Sequence, residues 1–170
     1  RLMLNKAVLW EMLAHSPYKT ASIKVMKKPY EWWDKPEYID RFLDEAKARS
    51  RYFAAFVLAL ETGMRLGEIV GLSKKDVDFE RCRIHVWRQW SAKQECFGPC
   101  KHDGQRWIDF HPESNLAKVL RVAIDNSPDP EAIFITSSGR RVQPRKLADK
   151  YFQTLVRHAG VLRIPFHGMR

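Results

Sequence analysis

Residues 52–61 read Tyr-Phe-Ala-Ala-Phe-Val-Leu-Ala-Leu-Glu, with one charge, at the end. Such a run predicts a helix that is apolar on every face, and a helix of that kind is stable only when other elements wrap it. The rest of the chain must therefore fold around this segment. Gly63 stops it two residues later, which places Arg65 just beyond the end of a core helix. The 170 residues, 45% of them hydrophobic, suffice for one buried core with at most a small appendage.

The flanking sequence supplies the wrapping elements. Residues 2–14 read as a short helix ended by His15-Ser16-Pro17, and residues 18–28 as a basic linker with Lys19, Lys24, Lys27 and Lys28. Asp34 is placed to cap a new helix, with Pro36 in its first turn and Glu37 completing a capping box. Ile39, Phe42, Leu43 and Ala46 give that helix one apolar stripe. Residues 66–72 predict a further helical turn or two, with Ser73 and Asp76 capping the turn after it.

Residues 83–90 alternate and predict a single strand: Ile84, Val86 and Arg88 on one face, His85, Trp87 and Gln89 on the other. Residues 92–104 form a polar loop, and residues 106–111 alternate again as the antiparallel partner strand. A helix over residues 113–126 carries Leu116, Val119, Leu120 and Ala123 on one face. An extended run follows at 132–136, then a basic turn at Ser137-Ser138-Gly139-Arg140-Arg141. Pro144 opens a last helix over residues 145–159, with Leu147, Tyr151, Leu155 and Val156 inward, and Gly160 stops it. The fold class is α+β, mainly α-helical, with a small antiparallel three-stranded sheet.

Lys+Arg 30 against Asp+Glu 20 leaves a formal charge of +10, which favours a polyanionic partner, nucleic acid before an anionic membrane surface. No apolar run approaches the roughly 20 residues of a membrane helix. The first residues, Arg1-Leu2-Met3-Leu4-Asn5, do not read as a signal peptide, and a start without methionine is expected of a piece of a longer protein. Cys96, Cys100 and His102, with Cys82 and His85 upstream, fit no standard zinc spacing and are read as free groups in a reducing setting, a metal there staying open. Trp32, Trp33, Trp87, Trp90 and Trp107 are expected mostly in core and sheet packing, and His158 on a helix surface.

Two arginines stand out chemically. A guanidinium presents a planar fork that fits two phosphate oxygens. Arg65 can point into a cleft, and Glu68, one helical turn on, can orient it. At the other end of the chain Pro165-Phe166-His167-Gly168-Met169-Arg170 carries a His-x-x-Arg. The string Thr62-Gly63-Met64-Arg65-Leu66-Gly67-Glu68, taken with this second motif, resembles the tyrosine recombinases, the phage-integrase family. The resemblance covers residues 29–170 as a catalytic domain, and residues 1–28 look like the end of the family's core-binding domain and its linker.

The resemblance implies a site-specific DNA recombinase that breaks and rejoins strands through a 3′-phosphotyrosyl intermediate, with no metal or nucleotide cofactor. Arg65 and Arg170 would hold the non-bridging oxygens. Lys101, which matches the lysine of the family's β-hairpin better than Lys93, would protonate the leaving 5′ oxygen. His167 would assist proton transfer at the tyrosine. Arg106 looks like the basic residue that follows the hairpin lysine. Arg106, Arg140, Arg141, Arg145 and Lys146 are expected to contact DNA phosphates, although a solvated face accounts equally well for the basic turn. The family more often has Asp-Leu where this chain has Gly168-Met169, a change expected to alter packing more than chemistry.

The implied partners are double-stranded DNA and other protomers in a tetrameric synapse, in a prokaryotic cytoplasm at the nucleoid. The family's nucleophilic tyrosine lies beyond the second arginine. Tyr18, Tyr30, Tyr38, Tyr52 and Tyr151 all precede it, so the nucleophile is expected outside these 170 residues. A DNA-binding module without catalysis and a type IB topoisomerase-like enzyme are the alternative readings. Salt dependence tests the charge argument: log affinity for duplex DNA should fall linearly with log salt, by about 0.9 per phosphate neutralised. A binding constant indifferent to salt would exclude a phosphate-dominated interface.

Overall fold

The computed structural model describes residues 2–16, 31–100 and 104–169. They divide into two units, Arg1–Tyr30 and Glu31–Arg170. In the first, the helix α1 spans Leu2–Leu9, shorter than the expected 2–14. The linker at 18–28 lies outside the described residues.

The second unit is built on the apolar segment. The helix α3, Phe53–Thr62, is buried from Ala54 to Ala59 and ends at Gly63 in the left-handed region, φ 62°. Helix α2, Pro36–Arg49, packs beside it and buries Phe42 and Ala46. The expected Asp34 cap does not form. Pro36 takes the first helical position and holds Lys35 before it in the extended region, so the helix begins one residue later than an Asp34 cap requires. Helix α4 is the short Leu66–Gly71, and α5 is Asn115–Asp125, capped by Ser114 Oγ accepting from the Ala117 N–H at 3.1 Å. The last helix starts as α6, Pro144–Lys146, passes through a π-helical stretch at Leu147–Phe152, and continues as α7, Gln153–Ala159.

Phe42 of α2, Phe56 of α3, Phe152 of the π stretch and Phe166 form one aromatic cluster with Trp33. Ring centroids lie 5.0 Å apart for Trp33–Phe42, 5.3 Å for Phe42–Phe152 and 5.4 Å for Phe152–Phe166. Trp33 Nε1 donates to the Leu162 carbonyl at 2.7 Å, tying the entry of α2 to the segment that leads to His167. Edge-to-face and tilted pairs of this kind contribute about 1 kcal/mol each beyond the area they bury.

The sheet differs from expectation in one respect. Strands β1 (Val77–Asp78), β2 (Arg83–Val86) and β5 (Arg106–Asp109) form the three-stranded antiparallel sheet in the order β1-β2-β5, with Ile84 opposite Ile108. The run 83–90 is not one strand, however. It breaks at Trp87, and β3 (Arg88–Ser91) leaves the sheet to pair with β4 (Cys96–Pro99), inside the expected polar loop. The break follows from polar anchoring at the bend. Trp87 Nε1 donates to Asp76 Oδ1 at 2.9 Å, and Arg88 donates to the hydroxyl of buried Ser73. Strand β3 then runs across α4, where a Cβ on Gly71 would lie 2.9 Å from the Trp90 backbone nitrogen.

Trp33 is buried and Trp90 half-buried, whereas Trp87 and Trp107 are exposed. Both pack against His85, whose ring lies 4.2 Å from that of Trp107. Truncation of Phe42, fully buried among three aromatic partners, should cost about 3–5 kcal/mol in Phe42→Ala, read as a lowered urea midpoint at unchanged m-value. A loss below about 1 kcal/mol would mean the cluster does not carry the core.

Candidate functional site

Arg65 is the residue between two helices that the apolar segment positions. Thr62 Oγ1 accepts from the Met64 N–H at 3.2 Å, and Met64 is fully buried, which pins the connection before Arg65. Arg65 itself is the N-cap of α4, in the extended region. Its backbone N–H donates to Glu68 Oε2 at 2.8 Å, and its Nη1 donates to Glu68 Oε1 at 3.1 Å. The Glu68 side chain has no solvent exposure, while that of Arg65 retains 38%. The carboxylate thus lies inside the fold, and it holds the guanidinium at the surface.

A third partner arrives from the sheet. Arg106, first residue of β5, donates through Nη2 to Glu68 Oε2 at 2.7 Å and through Nη1 to Oε1 at 3.2 Å. Burial pushes the Glu68 carboxyl up. Hydrogen bonds from Arg106 and from the Arg65 backbone, with the Arg106 charge, more than offset this and hold it below the ordinary carboxylate range. The same hydrogen bond from the carboxylate holds Arg106 above its usual value. One buried anion therefore joins α4 to β5, which are 38 residues apart at the paired side chains. Cys100 is buried next to this group. Burial raises its thiol, the Glu68 charge adds to that, and Arg106 and Arg65 oppose it.

The structure thus brings Arg65, Glu68 and Arg106 together. Lys101 and Arg170 lie outside the described residues, as does His102. His167 is exposed on the 3-10 turn Phe166–Met169, whose other members Phe166, Gly168 and Met169 are buried. Gly168 has a steric reason: a Cβ there would stand 2.6 Å from the Glu31 carbonyl oxygen. The turn hangs on α3 through Phe166, 6.3 Å from Phe56 between ring centroids. Arg65 follows the end of the same helix, so α3 carries both motifs.

The basic turn divides. Arg140, Arg145 and Lys146 are exposed, and Arg145 pairs with Asp149 at 3.1 Å. Arg141 faces inward, where Nη1 donates to the carbonyls of Val70 at 2.6 Å and Leu72 at 3.3 Å. Charge counting could not separate these neighbours, because the difference is whether a carbonyl lies within reach. Lys93 is exposed in the turn between β3 and β4, and His158 is exposed on α7 as expected. Cys82, Cys96 and Cys100 are free thiols, and the described residues hold no group of three or more His, Cys, Asp or Glu side chains placed for a metal. No described helix is long and apolar enough to cross a membrane.

The chain is similar to known proteins in sequence and in fold. Residues 35–170 match the model of the phage integrase family. Tyrosine recombinase XerC of Lactobacillus leichmannii is 31% identical over 137 residues, which is 75% of this chain and 41% of that protein. XerC of Chlamydia pneumoniae is 30% identical over 104 residues, 61% of this chain and 30% of that protein. The chain therefore spans less than half the length of these relatives. Among solved structures, the Tn1549 transposon integrase in complex with a circular intermediate DNA superposes with a TM-score of 0.81 at 20% identity, over 97% of this chain and 59% of that one. A lambda integrase dimer bound to a COC′ core site gives 0.74 at 14% identity, over 97% and 58%. At such identities these structures establish the fold.

The lowered Glu68 sets a pH dependence. Its folded value lies below the ordinary 4.5, so its contribution to stability is present above that pH and is lost as pH falls through the folded value. Glu68→Gln should flatten the acid limb of stability below roughly pH 5 and cost about 2 kcal/mol at neutral pH, less than a fully buried pair because both arginines keep more than a third of their side-chain exposure. Chemical denaturation across pH 3–7 measures both, and an acid limb identical to wild type would exclude Glu68 as the titrating group.

Proposed function

This chain belongs to the phage integrase family, and on that premise we propose that residues 29–170 are catalytic-domain sequence of a site-specific DNA recombinase, with residues 1–28 the end of a core-binding domain and its linker. The observation that carries this is the Arg65–Glu68–Arg106 group. A phosphate clamp needs a guanidinium that is fixed yet exposed. Here a fully buried carboxylate binds Arg65 through both backbone and side chain and leaves the arginine 38% exposed.

In this reading Arg65 and Arg170 bind the non-bridging oxygens of the scissile phosphate and stabilise the charge that grows in the transition state. Lys101, directly after buried Cys100 in the chain, protonates the leaving 5′ oxygen. His167, exposed on its turn, moves the proton at the nucleophile. Glu68 fixes Arg65, and Arg106 completes the neutralisation of Glu68, which keeps the first arginine from being drawn inward by an unbalanced charge. Arg140, Arg145 and Lys146, which are exposed, meet phosphates further along the duplex in this reading. The partners are double-stranded DNA and further protomers on it, in the cytoplasm.

The nucleophile of this reading is a tyrosine outside the 170 residues. The described tyrosines support that. Tyr52 is buried, donates to the Ile135 carbonyl at 3.2 Å, and is pushed up to about 12 by burial and by Tyr151. The Tyr151 ring lies tilted against that of Tyr52 at 4.7 Å, and Tyr38 is half-buried under Lys35. Tyr18 and Tyr30 lie outside the described residues.

Covalent capture tests the reading. The full-length protein should form a protein–DNA adduct with a nicked suicide substrate on a denaturing gel, and the 170-residue chain alone should form none. In full-length protein Arg65→Lys, which keeps the charge and loses the fork, should slow cleavage about 10²–10³-fold with little change in melting temperature. An adduct from the 170-residue chain, or full cleavage by Arg65→Lys, would refute these assignments. Plasmid relaxation without strand exchange would favour the topoisomerase alternative.

A further inference from the structure

We infer that Arg141 is a positioning residue for the recombination site, holding helix α4, and with it Arg65, from the end opposite the phosphate. This rests on the reading of Arg65 as a phosphate clamp. Six residues make less than two turns, too few to be stable alone, so the orientation of α4 is imposed by what grips it. At its N-terminal end the grip is Arg106 of β5, which holds Glu68 through both terminal nitrogens. At its C-terminal end the carbonyls of Val70 and Leu72 need donors from outside the helix, and Arg141 Nη1 reaches both, at 2.6 and 3.3 Å.

The same guanidinium also meets the hairpin behind α4. It lies 5.0 Å from the Phe97 ring and 5.5 Å from the Trp90 ring. Trp90 is the residue whose backbone nitrogen approaches Gly71 so closely that no side chain fits there. Helix α4 is therefore held between strand β3 and Arg141. Arg141 has little freedom to leave: Ile135 bridges to it, and the Val142 N–H donates to the Phe134 carbonyl at 3.0 Å. Burial lowers the Arg141 guanidinium from its usual value and the Arg88 charge adds to this, while Asp129, Glu131 and Asp76 oppose it only in part. From Arg65 to Leu72 the helix rises about 10 Å at 1.5 Å per residue. A small tilt at the capped end thus shifts the guanidinium at the other, and a displacement of about 1 Å in a reacting geometry can cost on the order of 10²-fold in rate.

The experiment uses full-length wild type, Arg141→Gln, Arg65→Lys and the double variant, with Arg141→Lys as the milder change should Arg141→Gln fail to fold. Three quantities are measured: the salt slope of duplex binding, the single-turnover cleavage rate at saturating suicide substrate, and amide hydrogen exchange over residues 65–72. Arg141→Gln should leave the salt slope unchanged, speed exchange over 65–72, and slow cleavage by about 10–100-fold. In the Arg65→Lys background its effect on cleavage should largely vanish, which a general loss of stability would not produce. A salt slope lower by about 0.9 with cleavage at saturation intact makes Arg141 a phosphate contact and overturns the inference. So do additive effects in the double variant, or unchanged exchange over 65–72. If wild type itself does not cleave, the recombinase reading fails, while exchange and salt slope still decide whether Arg141 holds α4.

Discussion

A single buried carboxylate organises the candidate site of this protein. Glu68 has no exposed side-chain surface and accepts hydrogen bonds from the Arg65 backbone, the Arg65 guanidinium and both terminal nitrogens of Arg106. An ionised carboxylate without those donors would be expensive to bury, so the geometry of all three residues is mutually required. Helix α4 cannot turn, and β5 cannot slide, without breaking the Arg106–Glu68 pair. The sheet register is thereby coupled to the position of the first arginine.

The aromatic cluster does the corresponding work for the second motif. Trp33, Phe42, Phe56, Phe152 and Phe166 come from five separate stretches of sequence and meet around α3. Phe166 is the residue before His167, so the turn that bears the histidine is an extension of the core. Gly168 lets this turn press against the Glu31 carbonyl. The two motifs are far apart in the chain and share one support, the helix that no polar residue interrupts. That support is hydrophobic and non-directional, whereas the Glu68 group is polar and directional. The first sets where the motifs are, and the second sets how Arg65 is aimed.

The hairpin of β3 and β4 adds a layer behind α4. Its attachment is polar at one end, through Trp87 and Arg88 to Asp76 and Ser73, and steric at the other, through Trp90 against Gly71. Arg88 and Arg141 pack on the Phe97 ring from 3.9 and 5.0 Å, so two cations share one aromatic surface. Both are drawn into the fold rather than out toward solvent. A basic protein of charge +10 thus keeps part of its positive charge as internal structure.

The sequence alone determined the core helix, its glycine stop, the residue that follows it, and the amphipathic helices around it. These depend on periodicity and local turn chemistry, which are properties of neighbouring residues. It also determined that the alternating runs starting at Arg83 and Arg106 pair antiparallel, because alternation fixes which faces can meet, though not that the strands end at Val86 and Asp109. Tertiary structure decided the rest. Period-two alternation runs straight through Trp87, and only the side-chain bonds to Asp76 and Ser73, 11 and 15 residues upstream, break it. Arg140 and Arg141 are identical to any count of charge. One is exposed and the other caps α4, because the free carbonyls at the end of that helix lie about 70 residues away in sequence and within one side-chain length in space. Contacts of that separation leave no local pattern to read, since they exist only once the chain has closed on itself.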